Sequence, residues 1–382
     1  MLMLALIGVA SARGQTYSVL YSFQCGPGDG GNPGSQMALD LTGNLYGTTS
    51  AGGTYDFGTV FEISPDGAEA LLHSFAGTPT DGQTPIYNNV IRDSHGNLFS
   101  TTSFGGAAAD GTVIETTASG KEKILYSFGA LLKGIDPVGG LLRDSSGNLY
   151  GTTLSGGFHG DGSVFELSRD NVLTYLYDFT GTPDGAAPIG TLTRDSAGNL
   201  YGTTTMGGGH NDGSVFELSS TGEESILYSF SGEPHDGAMP YGGLALGSGG
   251  RLYGTTAFGG SSNRGTVFEV TTAGKEQVLH SFSGSPDGST PYSGLLRAVS
   301  GSLYGVTYYG GTGACNDGSG TGCGVLFELS PQGQETILYN FEGAPDGANP
   351  LGGLAEDSAG NLYGTSFGGG TYGCGTVFKY IP

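Results

Sequence analysis

Apolar and polar residues alternate in short runs along this chain, and no stretch sustains the three-to-four spacing of a long helix. The segment from 189 to 230 shows the pattern. Ile189-Gly190-Thr191-Leu192-Thr193 is a first run, and Asp195-Ser196-Ala197-Gly198-Asn199 interrupts it. Leu200 to Thr204 is a second, and a glycine-rich link leads to a third, Ser214-Val215-Phe216-Glu217-Leu218. Ser220-Thr221-Gly222 then turns the chain into a fourth, Ser225 to Phe230. Runs of this length, bounded by Gly, Asp, Asn and Ser, predict four antiparallel strands, because those residues supply the positive φ angles and side-chain caps of tight turns.

The unit recurs. Gly-Asn-Leu-Tyr-Gly-Thr-Thr at Gly43 to Thr49 returns, with substitutions, around Phe99, Tyr150, Tyr201, Tyr253, Tyr304 and Tyr363. Counted from Tyr46, the steps are 53, 51, 51, 52, 51 and 59 residues, which makes seven copies. Four short strands bury too little surface to stand alone, so the copies must pack face to face, and sheets of this size pack radially. The expected fold is an all-β, seven-bladed β-propeller forming one domain over residues 17–382, and it is expected to be monomeric. The chain ends agree: Tyr17 to Phe23 matches the fourth run of the repeat, and Gly375 to Ile381 matches the third. A closed ring in which the N-terminal strand completes the last blade accounts for both and removes exposed strand edges.

Four cysteines allow two disulfides. Cys374 precedes the third strand of the last blade, and Cys25 follows the strand expected to pair with it, so an antiparallel register brings the two thiols together at the seam. Closing a loop of that length would stabilise by about 4 to 5 kcal/mol on the chain-entropy argument. Cys315 and Cys323 sit in the link that lengthens the sixth step, and a local staple is the economical pairing.

Composition narrows the partners. With 76 glycines among 382 residues but no three-residue period, collagen is excluded, and 36% hydrophobic residues against 13% charged ones support a packed core. The 13 Lys and Arg face 35 Asp and Glu, a net charge of -22, which argues against nucleic acid, anionic membranes and polyanionic glycans while permitting neutral or cationic ligands. Residues 1–12 end in Ala10-Ser11-Ala12 after an apolar run, as an export leader cleaved after Ala12 would. The run is too short to span a bilayer and lacks a positive n-region, so the natural start is expected further upstream. No transmembrane segment is expected, and the protein should reach the periplasm or the extracellular space.

The recurring words Leu-Tyr-Ser-Phe, Pro-Asp-Gly-Ala, Asp-Ser-x-Gly-Asn-Leu-Tyr-Gly-Thr-Thr and Gly-Thr-Val-Phe-Glu-Leu resemble the tandem repeat of bacterial extracellular proteins called GloVer (Gloeobacter/Verrucomicrobia) repeats. The likeness extends from Tyr17 to Ile381. It implies an exported repeat protein and no enzyme class. Some members carry a C-terminal anchoring segment, and a chain stopping at Pro382 implies release instead.

Antiparallel geometry puts the two long connections, from the second strand to the third and from the fourth strand to the next blade, on one face of the disc, where a ligand is expected. Asp29, Asp81, Asp184, Asp236, Asp287 and Asp346 open Asp-Gly turns in six of the latter links; carboxylates there suit turn capping better than calcium, because a single ion site needs only one or two blades. Arg92, Arg143, Arg194 and Arg297 recur at strand ends and are expected in ion pairs there.

Departures from the repeat carry more functional information. His159 with Asp161 and His210 with Asp212 hold matching places in adjacent blades and could bind a divalent transition metal or act as acid and base, although local turn stabilisation is the simpler role. Phe258, Tyr308 and Tyr309 precede double glycines, while Tyr241 and Tyr292 follow the proline entering the first strand; these rings suit a glycan or a protein ligand, with the absence of Trp weakening the sugar case. Leu131-Leu132-Lys133 replaces the usual Pro-Asp-Gly and is a candidate partner contact. No nucleophile elbow, HExxH, phosphate loop or dinucleotide fingerprint occurs. The sequence thus favours a secreted, non-enzymatic binding or surface-associated propeller. A divalent cation is possible but not favoured, and the rival reading is a metal-assisted hydrolase or lyase acting at the channel mouth.

Overall fold

A computed structural model describes residues 15–129, 134–232, 234–315 and 322–382. The expected leader at 1–12 and the Leu131-Leu132-Lys133 departure lie outside the described residues. Among them there is no helix, and the strands form seven antiparallel blades around a central channel. In blade four the order from the channel outwards is Thr193–Arg194, Leu200–Thr204, Ser214–Leu218 and Glu224–Ser229. The ring closes as the sequence predicts. Thr16–Ser22 lies antiparallel to Thr376–Ile381, with Val19 opposite Phe378 and Tyr21 opposite Val377. Cys25 is bonded to Cys374 across the seam, and Cys315 to Cys323 within blade six.

Each repeated word has a packing reason. The core consists of clusters shared by neighbouring blades, and aromatic pairs run through most of them. The Phe closing one blade's fourth strand meets, edge on, the Phe in the third strand of the next: Phe179 with Phe216 at 5.1 Å, Phe230 with Phe268 at 5.0 Å, and Phe23 with Phe61 at 5.0 Å between the last blade and the first. The glycine of Leu-Tyr-Gly-Thr-Thr leaves room for that ring. A Cβ on Gly202 would stand 2.6 Å from Cζ of Phe216, its partner across the strands. Blade two departs at both places together, with Ser100 opposite Ile114.

The Asp-Ser-x-Gly-Asn word builds the tight turn between the first and second strands. Asp195 Oδ1 accepts the amides of Ala197 and Asn199 at 2.9 Å, and Oδ2 accepts the Tyr201 hydroxyl at 3.0 Å. Two of the recurrent strand-end arginines form the expected ion pairs, with partners in the preceding blade. Arg92 lies 3.9 Å from Asp40 and Arg194 3.8 Å from Asp144, each reaching the preceding blade and stacking over its Tyr46 or Tyr150 ring. Arg143 sits likewise over Phe99. For Arg297 the same contacts are not seen among the described residues.

Candidate functional site at the mouth of the channel

On entering each blade, the chain makes one sharp bend before its proline. The residue there, such as Ala187 or Met239, takes a φ of +55, and its amide donates to a carbonyl of the preceding blade: Ala187 to Asp161 at 2.9 Å and Met239 to Asp212 at 2.8 Å. Asn32 makes the same bond to Cys374 at 2.8 Å, so the Asp161 and Asp212 positions correspond to a disulfide cysteine in the last blade. The residue after the proline is thereby aimed at the channel.

Tyr241 and Tyr292 occupy that place in blades five and six, and both line a cavity of about 200 Å³ at the mouth. Their rings meet edge on at 5.0 Å; Tyr292 meets Tyr308 at 5.4 Å, and Tyr308 meets Tyr309 at 4.7 Å. Four of the five aromatic residues singled out in the sequence therefore form one continuous arc. Phe258 does not join it, and borders a separate hollow beside Met239 and Asn263.

The arc has a further member that sequence reasoning missed. Blade two carries one residue more than its neighbours between proline and first strand, Pro85-Ile86-Tyr87-Asn88-Asn89, and the surplus puts Tyr87 at the mouth with a φ of +57. The signal was there in the replacement of Gly-Gly by Asn-Asn. Burial, with Tyr241, Tyr87 and the other tyrosines adding to it, pushes the Tyr292 phenol up to about 12, and burial followed by Tyr241 raises Tyr87. These phenols are neutral hydrogen-bonding groups at physiological pH. The rest of the lining is glycine, leucine and uncharged polar residues such as Gln36, Asn88 and Ser293, without carboxylate, imidazole, amine or thiol.

Around the mouth, the connections from second to third strand carry exposed apolar side chains in a circle: Tyr55, Phe104, Phe158, Met206, Phe258 and Tyr372. Tyr309 holds in blade six the place of Phe104, Met206 and Phe258, whereas Tyr55, Phe158 and Tyr372 follow the double glycine of their own connections. The sequence pointed to two of these seven, because each looks like an isolated surface residue until the repeats are stacked.

The two His-Asp pairs do not assemble into a cluster. His159 is exposed and packs against Phe158 at 5.2 Å between ring centroids, and the carboxylates of Asp161 and Asp212 lie beside Gly181 and Gly232 of their own blades. Among the described residues, the groups of three or more ligand-type side chains that converge within 4.8 Å contain none of His159, Asp161, His210 and Asp212. The Asp-Gly carboxylates cap their own links: Asp236 accepts the amides of Ser231 and Gly237, both at 2.7 Å.

The chain belongs to the Gloeobacter/Verrucomicrobia repeat family, whose family model matches residues 8–135, 40–249 and 87–316. No curated protein sequence matches it significantly. Similar solved structures include a streptogramin B lyase, with a TM-score of 0.64 at 13% identity over 96% of this chain and 97% of that one. The extracellular domain of a hybrid two-component system from B. thetaiotaomicron gives a TM-score of 0.60 at 10% identity, covering 95% of this chain and 40% of that one. A 6-phosphogluconolactonase candidate from Bacteroides uniformis gives 0.51 at 14% identity, with 79% and 83% covered. At these identities the likeness establishes the propeller fold alone.

Proposed function

We propose that this protein is an exported, non-enzymatic binding protein that takes a neutral or cationic ligand, a glycan or a protein, on its long-connection face. The observation that carries this reading is the tyrosine arc. Tyr87, Tyr241 and Tyr292 line an uncharged cavity, and the rings of Tyr308 and Tyr309 continue the row from Tyr292, a combination that stacks on and hydrogen-bonds to neutral groups at little entropic cost. The circle of apolar side chains widens the surface around it. Two disulfides are compatible with an oxidising compartment, and among the described residues no helix is long and apolar enough to cross a membrane. The rival hydrolase reading needs His159, Asp161, His210 and Asp212 to share a substrate, and their separate turn contacts do not favour it.

Purified protein screened on neutral-glycan arrays and against envelope protein fractions tests the proposal. Saturable binding that Tyr241→Ala with Tyr309→Ala weakens at least tenfold, without changing the melting temperature, is the expected result. Retention of full binding by that variant removes the arc from the site, and the absence of any binding removes the reading.

A further inference from the structure

A second recurring station lies away from the mouth, where the fourth strands of neighbouring blades approach one another. It is built from three positions: the aromatic residue of Leu-Tyr-Ser-Phe, the aspartate of the following Asp-Gly, and the glutamate that opens the next blade's fourth strand. In four stations the aromatic residue is tyrosine, whose hydroxyl donates to the aspartate: Tyr21 to Asp29 at 3.0 Å, Tyr177 to Asp184 at 2.9 Å, Tyr228 to Asp236 at 3.0 Å and, where Tyr17 of the closing strand stands in place of the glutamate, Tyr339 to Asp346 at 3.0 Å. Those contacts are structural. They satisfy a buried carboxylate that also caps its own turn.

Two stations differ in one residue. Histidine replaces tyrosine at 73 and 280, and the substitution exchanges a hydroxyl donor for a nitrogen with a lone pair. His73 Nε2 lies 3.0 Å from Asp81 Oδ2, and His280 Nε2 lies 3.5 Å from Asp287 Oδ2. Glu122 and Glu335 come in from the next blades, so that in each station one imidazole and two carboxylates offer ligand atoms within 4.8 Å of one another. Oε1 of Glu122 and Oε1 of Glu335 are buried without a hydrogen-bond partner, as are those of Glu69, Glu224 and Glu276 in the tyrosine stations; what the histidine adds is an imidazole beside them, and at 280 its Nε2 is also unpartnered. Buried polar atoms are ordinarily paired, so every station leaves a carboxylate oxygen open, and the two histidine stations join to it a nitrogen that can ligate a cation. The histidine side chains keep 20% and 21% exposure, which leaves a path from solvent.

We propose that His73, Asp81 and Glu122, and separately His280, Asp287 and Glu335, are two binding sites for a divalent transition metal of the zinc class, each clamping one blade to the next. One nitrogen and two oxygens with room for water suit zinc or manganese, whereas calcium prefers an all-oxygen shell of six or more ligands. Asp81 and Asp287 keep their turn-capping amides from Gly82 at 2.7 Å and Gly288 at 2.6 Å, which orient the carboxylates towards the imidazoles. The sites are independent of the tyrosine arc.

The other blades supply the control. Tyrosine is this fold's own residue at the equivalent stations, so His73→Tyr and His280→Tyr should fold normally while losing the imidazole. Titrating zinc chloride into metal-free protein by calorimetry should give two saturable equivalents, one in either single variant and none of that class in the double variant. Zinc should raise the melting temperature of the wild type and leave that of the double variant where it was. Tyr228→His, placing a histidine between Asp236 and Glu276, should add a third equivalent. No saturable zinc binding by the wild type overturns the proposal, as does binding that survives in the double variant, since exposed histidines would then be responsible.

Discussion

The pairing of Gly202 with Phe216 can be tested as a unit. An alanine Cβ at 202 would stand 2.6 Å from Phe216 Cζ and 2.9 Å from Leu192 Cδ2, inside contact distance, in a core where Phe216 is 1% exposed. Gly202 does not have a positive φ, so the cost of Gly202→Ala is steric and should be about 2 to 3 kcal/mol. Phe216→Ile alone removes the edge contact with Phe179 and leaves a small void, for about 1 to 2 kcal/mol. Together they approach the shape of blade two, where Ser100 faces Ile114 and Val90 stands in the place of Leu192. The smaller side chain vacates most of the space that the new methyl needs and leaves only the contact with Leu192, a flexible side chain, to adjust. The double variant should therefore be about as stable as Phe216→Ile alone, a coupling of about 2 kcal/mol. Denaturant unfolding followed by circular dichroism measures all four corners of the cycle. Losses that add to within about 0.5 kcal/mol would refute the claim that the glycine exists to seat the phenylalanine.

Other consequences are open to measurement. Burial, reinforced by Asp29, Asp184 and Asp236 respectively, pushes the carboxyls of Glu69, Glu224 and Glu276 from 4.5 up to about 7. Their folded-state pKa values are raised, so the stability they allow is complete below about pH 4.5 and is lost as pH rises through 7. Half-buried as they are, each should account for about 1 kcal/mol after solvent screening. Replacing all three by Gln should flatten the fall in melting temperature between pH 5 and 8, and parallel profiles for variant and wild type would count against this. Removing the seam bridge with Cys25→Ser and Cys374→Ser, which are 349 residues apart, should cost up to about 6 kcal/mol, against about 2.5 kcal/mol for Cys315→Ser with Cys323→Ser, 8 apart. Equal losses from the two pairs would show that chain entropy is not what the seam bridge contributes.

Much of the architecture was legible in the sequence, and particular elements show why. The orphan fourth-strand word at Tyr17 to Phe23 and the missing one after Ile381 dictated the closed ring, and with it the Cys25 and Cys374 pairing, because strand register is a matter of counting along the chain. The tyrosines at 241, 292, 308 and 309 were recognisable as departures from a repeat. Tyr87 was not, since a one-residue surplus after Pro85 shifts the column in which it would have been compared.

What the sequence determined by itself is whatever repeats locally: strand, turn and blade follow from alternation, from Asp and Gly at fixed offsets, and from the number of copies. What only the tertiary structure decided is which side chains meet across blades. Arg194 skips its neighbour Asp195 for Asp144; the His-Asp pairs of blades three and four stay apart; and His73, Asp81 and Glu122 converge although Glu122 lies a full repeat away. Those encounters depend on the angle at which one sheet leans on the next. That angle is set by the Phe pairs and the sharp bends before each proline acting together around the whole circle, and no single stretch of the chain contains it.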